Sequence, residues 1–244
     1  MQIAVAYHMN FAIIAAGEGS RLATEGVELP KPLVPLNGVP MIGRLINLFI
    51  DNGATAISTI VNSQNVQTLE YLNKRKQQLS IPLNIVVKST PGSMHSLFEL
   101  KPYLQNTDFC LTTVDTVFSE QEFSRYIQAF KQTPSIDGLF AVTDYIDDEK
   151  PLYVQLGKDN QILAFSDSKQ ADTKYISGGI YCLRPSAISI LEETMKSGMT
   201  RMRDFQRQLI AHGLHLCAFP FKKIIDVDHA DDIEKAEQLL DSIA

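Results

Sequence analysis

The 244-residue sequence predicts an α/β fold, a Rossmann-like, doubly wound, mostly parallel but mixed sheet lying between two layers of helices. Three observations predict it. Short apolar runs alternate with stretches of helical periodicity along the first half of the chain. A glycine-rich turn follows directly on the first apolar run, at the edge where a parallel sheet binds its ligands. After residue 135, strand-like runs succeed one another without intervening helix, so the second half is mixed.

The first strand is FAIIAA (11–16), an apolar run closed by glycine. MIGRLINLFIDNG (41–53) sets Ile42, Leu45, Ile46 and Phe49 at helical spacing and stops at Gly53. AISTIV (56–61), LNIVV (83–87) and FCLTTV (109–114) are the next strands, separated by a polar helix over Val66–Leu79 and a helix near Met94–Leu104. Right-handed crossovers bring the carboxyl ends of these strands to one edge. Beyond residue 135, GLFAVTDY, PLYVQLG, QILAFSD and YISGGIYCL read as strands, with KDNQ as a turn between two of them. Helices over 185–197 and 201–212 precede the strand LHLCAFPF, and DDIEKAEQLLDSI closes the chain as a helix. No linker rich in Pro, Gly or Ser divides the sequence and no repeat is present, so residues 1–244 are expected to form one domain.

Composition narrows the function classes. Apolar residues make up 45% and charged residues 20%, ordinary values for a globular chain. A net charge of −6 without a block of like charge argues against a nucleic-acid surface, though a local basic site fits within it. Cys110, Cys182 and Cys217 are far apart and lack CxxC spacing, which suits a reducing cytosol and neither a disulfide framework nor a zinc site. The opening MQIAVAYH has no basic n-region and too short an apolar stretch for a signal peptide, and Met9 is an alternative start. No run approaches the roughly 18 apolar residues of a membrane span, so a cytoplasmic protein is expected.

The stretch AAGEGSRL leaves the first strand at Ala15 and Ala16 and carries Gly17, Gly19, Ser20 and Arg21. Successive backbone N–H groups in such a turn cradle phosphate oxygens, and Arg21 adds a forked donor. The pattern is not a Walker A loop, and Leu22 takes the last position of a GxGxxG, so a plain strand-to-loop turn is the alternative. Lys31 stands between Pro30 and Pro32, whose fixed φ stiffens the backbone ten residues after the turn. That setting points Lys31 at the same anion. Pro35 and Pro40 continue the rigid path toward the helix at 41. In CLTTVDTVF, Asp115 ends an apolar strand and is aimed at the ligand crevice, unless it opens a turn or caps the next helix. Asp231 and Asp232 begin a helix, where surface acids favour the dipole and need no ligand. His212 and His215 flank a helix end without a third ligand, and His95 either faces the pocket or packs.

AAGEGSRL…PKPLVPLNGVPMI resembles the signature of the nucleotidyltransferases that join an NTP to a sugar 1-phosphate. Glucose-1-phosphate thymidylyltransferases and N-acetylmuramate-1-phosphate uridylyltransferases are examples, and phosphocholine cytidylyltransferases look similar. The resemblance covers residues 10–242 and implies the three-layer α/β/α nucleotidyltransferase fold, with a nucleotide-binding half over 10–135 and an acceptor-binding half over 136–244. It implies nucleotide contacts from Ala15, Ala16, Gly17, Gly19 and Ser20, with Arg21 and Lys31 on the triphosphate and the leaving pyrophosphate. STPGSMHSLFEL (89–100) matches the segment that contacts base and ribose, with Pro91, Gly92 and Ser93 as the turn beneath the base and Ser96 and Leu97 behind it. A Pro-x-Gly is shared with the thymidylyltransferases and a Ser-Leu with the cytidylyltransferases, so the base stays open.

The resemblance also implies Mg²⁺, held by Asp115 and Asp226, with Asp228 as an alternative or additional ligand. Val114 replaces the family's glycine before Asp115, and His229 and Ala230 replace its Thr-Pro. Lys169 and Gly179 match the acceptor site, where Gln170 replaces a proline and Asp167-Ser168 displaces the acid that usually meets a sugar hydroxyl. The implied activity is Mg²⁺-dependent transfer of NMP from an NTP to a sugar 1-phosphate, with release of pyrophosphate. Two alternatives stand beside it: a cytidylyltransferase for a non-sugar phosphate such as phosphocholine, and a non-catalytic nucleotide-binding regulator. No nucleic-acid or membrane partner is implied, and the oligomeric state, a homo-oligomer included, stays open. The chain ends soon after its closing helix, so neither the C-terminal β-helix of some members nor a second activity is expected.

Overall fold

The computed structural model describes residues 7–147 and 149–242. In chain order its elements are β1 (Met9–Ala15), α1 (Ser20–Thr24), β2 (Pro35–Leu36), β3 (Val39–Pro40), α2 (Met41–Asp51), β4 (Ala56–Val61), α3 (Val66–Gln78), β5 (Leu83–Val87), α4 (Ser93–Leu104), β6 (Asp108–Thr113) and β7 (Thr116–Phe118). The second half adds α5 (Glu120–Gln132), β8 (Gly138–Thr143), β9 (Tyr153–Leu156), β10 (Ile162–Ser166), β11 (Tyr175–Leu183), α6 (Ser186–Lys196), α7 (Met202–Ala211), β12 (Leu216–Phe221), β13 (Ile224–Asp226) and α8 (Ala230–Asp241).

Among the described residues one sheet of nine strands runs β12-β8-β11-β6-β1-β4-β5, with β9 and β10 joined to the start of β11. β6, β1, β4 and β5 are parallel. β11 is antiparallel to both β6 and β8, which makes the sheet mixed as the sequence predicts. Its register shifts between Ser177 and Tyr181, where Gly179 has φ +73°. β1 lies inside the sheet and is buried on both faces, which explains a continuous apolar run in place of alternation. Phe11 and Ile13 face the layer of α2, α3, α5 and α8, while Ala12 and Ile14 face α4, α6 and α7. The rings of Phe11 and Phe49 meet at 4.7 Å in the first of these layers.

The predicted strands and helices recur with ends shifted by a residue or two, the ordinary uncertainty of a terminus. Four features go beyond the sequence reading. α1 and the ribbons β2–β3 and β7–β13 are too short to carry a periodic signal. α5 was missed although its sequence carries the signal: Ser119 caps it by accepting from the Glu122 N–H at 3.3 Å, and Phe123, Tyr126, Ile127 and Phe130 form its buried face. The first strand of the run 110–118 stops near Asp115, as the sequence predicts, and the chain resumes after a turn at Val114-Asp115 as β7. β7 then pairs with β13, matching Asp226 to Thr116, and so draws the C-terminal segment against the end of β6.

Tyr7 is tied down ahead of Met9. Its hydroxyl donates to Asp108 and accepts from Arg184 Nη1 at 2.6 Å, while the Arg184 guanidinium lies 4.0 Å from the Phe130 ring centre. Burial and the Asp108 carboxylate push this phenol up to about 12.

Candidate active site

A cleft of about 510 Å³ opens at the carboxyl ends of β1 and β6, where parallel strands aim their chain ends at a ligand. Ala15, Ala16, Gly17, Gly19, Ser20, Arg21 and Lys31 line one wall, and Pro91, Gly92, Ser93 and Ser96 line another. Asp115 and Asp228 complete it. Nearly all residues predicted for the nucleotide side are therefore gathered in one place.

The two glycines of the turn differ in what they require. Gly19 has φ +64°, and a Cβ there would sit 2.9 Å from Lys31 Cβ, so only glycine lets the turn and the lysine pack together. Around Gly17 no atom beyond its immediate chain neighbours comes within 4 Å of where a Cβ would be. Gly17 leaves space to the cleft.

Lys31 opens a short 3₁₀ turn, Lys31–Leu33, between its two prolines. Its side chain is only 10% exposed, and its Nζ lies 2.5 Å from Asp115 Oδ2 and 2.6 Å from Asp228 Oδ1. Burial alone would lower its pKa, but the Asp115 and Asp228 carboxylates hold it above the ordinary lysine value. Arg21 is half exposed, with Nη1 3.1 Å from Asp228 Oδ2 and Nη2 3.7 Å from Glu149. Asp115 is fixed in its turn because its carbonyl accepts from the Val227 N–H at 3.0 Å, while the preceding Val114 N–H donates to the Ile14 carbonyl. The Val114 side chain is buried in the core, which accounts for a valine where the related signature has glycine.

The structure distinguishes the two C-terminal aspartates. Asp228 shares Lys31 with Asp115, whereas Asp226, exposed at the end of β13, lines two neighbouring cavities of about 200 and 500 Å³. Asp228 is held from below. The carboxylate of Asp232, a buried residue, accepts from the N–H groups of Asp228 at 3.1 Å and His229 at 2.9 Å, and Lys235 Nζ lies 2.9 Å from its other oxygen. The expectation of a surface acid at Asp232 is thus corrected: it is a buried cap that shapes the loop before α8. Asp231, with its side chain 71% exposed, keeps the expected surface position.

In the segment expected to meet the base, Ser96 is buried and its hydroxyl shares a hydrogen bond with Thr90 at 2.6 Å. Leu97 packs in the core behind it. Asn62, at the end of β4, also lines the cleft and donates to the Ala16 carbonyl at 3.3 Å. The sequence reading missed it because its only signal was a polar residue after an apolar strand. His95 does not line this cleft; its Nδ1 is buried without a hydrogen-bond partner among the described residues.

Where the sequence places the acceptor, Gly179 lines the 200 Å³ cavity with Asp226, Tyr181, Gln206, Lys150 and Arg203. This cavity shares Ile14, Ser93 and Thr113 with the main cleft. Lys169 is not brought to it: the residue is exposed in the 167–174 loop, outside the linings of all three cavities. Positive charge is supplied instead by Arg203, from α7, and Lys150. Arg203 and Arg207 both bond Asp167, and these bonds hold the Asp167 carboxyl below the ordinary carboxylate value. Asp167, the displaced acid of the sequence reading, therefore orients an arginine. His212 is a helix-end residue, bonded to Gln208 and Glu193.

Could the site hold a divalent ion? Two hard carboxylates converge on one positive centre, the Lys31 ammonium, so the donor set at Asp115 and Asp228 fits a small oxygen-seeking cation. No cluster of three or more His, Cys, Asp or Glu among the described residues is placed to hold a metal. Such an ion would take its remaining ligands from phosphate and water, as Mg²⁺ commonly does.

The family model described as nucleotidyl transferase matches residues 11–242. The chain is similar to the bifunctional protein GlmU of Methanococcus maripaludis, 24% identical over 85% of this chain and 49% of that protein. It is also similar to the mannose-1-phosphate guanyltransferase of Schizosaccharomyces pombe, 26% identical over 75% of this chain and 52% of that one. A third relative, the 2-aminoethylphosphonate cytidylyltransferase of Lancefieldella rimae, is 30% identical over 46% of this chain and 45% of its own length. The chain spans about half the length of the curated relatives it matches. Among solved structures, the inositol-1-phosphate CTP transferase from T. maritima superposes with a TM-score of 0.79 at 18% identity, over 98% of this chain and 96% of the other. A putative glucose-1-phosphate thymidylyltransferase from Bacillus anthracis superposes at 0.81 and 18%, over 97% and 96%. At such identities these two show the fold alone.

Proposed function

Since the chain belongs to the nucleotidyl transferase family, we propose that it moves a nucleotidyl group from an NTP to the phosphate of a small acceptor, a sugar 1-phosphate in the first instance, and releases pyrophosphate. One observation carries this reading: the glycine turn, Arg21, Lys31 and two carboxylates in contact with Lys31 line a single cleft at the ends of β1 and β6. An acceptor phosphate oxygen attacks the α-phosphorus in line, a new P–O bond forms, and the bond to pyrophosphate breaks. The acceptor is already ionised near neutral pH, so no strong base is needed. The work left to the protein is positioning and charge compensation. The N–H groups of the turn hold the phosphates, and Arg21 and Lys31 offset charge that departs with pyrophosphate. Asp115 and Asp228 would hold Mg²⁺, which supplies Lewis-acid stabilisation of the reacting phosphate. No helix among the described residues is long and apolar enough to cross a membrane, and we assign the protein to the cytoplasm on its thiol spacing.

A second acceptor class is favoured by the small cavity. At about 200 Å³ it pairs Arg203 and Lys150 with the Asp226 carboxylate, a set that also suits a compact phosphate bearing a cationic group. Pyrophosphate release over a panel of NTPs, with sugar 1-phosphates and phosphocholine as acceptors and Mg²⁺ present, decides between them. Release with a sugar 1-phosphate supports the first reading, and release with phosphocholine alone the second. NTP binding with no release from any pair would leave only a nucleotide-binding protein.

A further inference from the structure

The loop that carries Asp228 is pinned from two directions. Asp232 takes the N–H groups of Asp228 and His229. The next N–H, that of Ala230, is taken by a residue from the far end of the chain: Glu25 Oε2 accepts it at 2.6 Å, and Glu25 Oε1 lies 2.7 Å from His229 Nδ1. Three consecutive N–H groups are thus bound by two carboxylates. Glu25 belongs to the segment that follows the glycine turn, where it terminates α1, and its own N–H bonds back to the carbonyls of Arg21 and Leu22. One side chain therefore joins the end of α1 to the loop holding Asp228.

From this geometry we infer that Glu25 is a positioning residue, which couples the glycine-turn segment to the Asp228 carboxylate. The inference rests on the nucleotidyl-transfer reading for its kinetic consequence, but not for the linkage itself. Arg21 and Lys31 reach Asp228 through its exposed carboxylate, so an arriving triphosphate competes for both contacts. Glu25 acts on the backbone instead. It keeps the Asp228–Ala230 loop in register with α1 when the side-chain contacts are given up, and so presents Asp228 beside Asp115 at the moment of transfer. A residue working this way affects turnover more than nucleotide binding, and its effect runs through Asp228.

The test uses Glu25→Ala, Glu25→Gln, Asp228→Asn and the double variant Glu25→Ala/Asp228→Asn in the full chain. The alanine variant is expected to lower kcat about tenfold with KM for the NTP within about threefold of wild type, and the glutamine, which keeps an acceptor for Ala230, to recover most of it. In the Asp228→Asn background, Glu25→Ala is expected to change kcat less than about twofold, because the group it positions is already lost. Hydrogen exchange, which needs no turnover, is expected to show faster exchange in Glu25→Ala at the Asp228–Ala230 amides and α1, with the sheet unchanged. Independent, multiplying losses in the double variant would overturn the proposal. So would a loss confined to KM, or exchange that rises across the whole chain. If wild type transfers no nucleotide, or Asp228→Asn is fully active, the functional reading fails, and the exchange result alone still decides whether Glu25 pins the loop.

Discussion

Replacing Asp232 with alanine tests whether the loop before α8 is held as the structure shows. The carboxylate accepts two backbone N–H groups and meets Lys235, with its side chain 11% exposed. Each of the two bonds contributes about 1 kcal/mol net, and loss of a helix N-terminal cap ordinarily costs about 0.5–2 kcal/mol. The released N–H groups belong to half-buried residues that water can reach, so the full penalty of buried orphans does not apply. A loss of about 2 kcal/mol follows, which for a domain of this size lowers Tm by about 4–8 °C. The loss also depends on pH. Burial works against ionisation of Asp232, but Lys235 and the His229 and Asp228 N–H groups outweigh it and hold the carboxyl below its ordinary 3.8. A group depressed in the folded state contributes its stability above the unfolded value and loses it as pH falls through the folded one. The difference between wild type and variant should therefore be constant near neutrality and narrow below pH 3.8. Thermal melts of the two proteins across that range are the assay. A variant melting within about 1 °C of wild type at pH 7 would refute the capping role.

Asp115→Asn should keep the fold and lower turnover about 100-fold or more, since it weakens the carboxylate pair that would hold a divalent ion on the reacting phosphate; equal pyrophosphate release by both proteins would sink its assignment. Gly17→Ala and Gly19→Ala should separate function from folding. At Gly17 a methyl meets no protein atom, so stability should stay within about 0.5 kcal/mol while NTP affinity by calorimetry falls; undiminished affinity would mean that no phosphate sits on the turn. Gly19→Ala should cost about 1–2 kcal/mol for φ +64° alone, measured by urea unfolding, besides displacing Lys31. Arg184→Ala should cost about 3 kcal/mol by the same method, because it strips a largely buried Asp108 of its cationic partner and leaves only the Tyr7 hydroxyl on it; a loss below about 1 kcal/mol would contradict that account.

What the sequence determined by itself was whatever depends on neighbours along the chain. Short apolar runs, period-3.6 patterns, turn glycines and proline-stiffened backbone are local signals, so β1, β4, β5 and β6, the glycine turn and Lys31 were readable before any contact was known. The pairing of β7 with β13, the choice between Asp226 and Asp228, and the duty of Asp232 were not. Asp226 and Asp228 are two residues apart, and only the pairing of β13 with β7 decides which carboxylate stands beside Lys31. Asp232 has the sequence mark of any acid at a helix start, and its burial comes from how the loop before α8 folds over it. Lys169 shows the converse: a matching residue in a matching stretch stays in an exposed loop, while Arg203, from a helix more than thirty residues on, lines the cavity. Contacts of this kind join segments far apart in the chain, and their energy depends on sheet register and burial that no local pattern encodes.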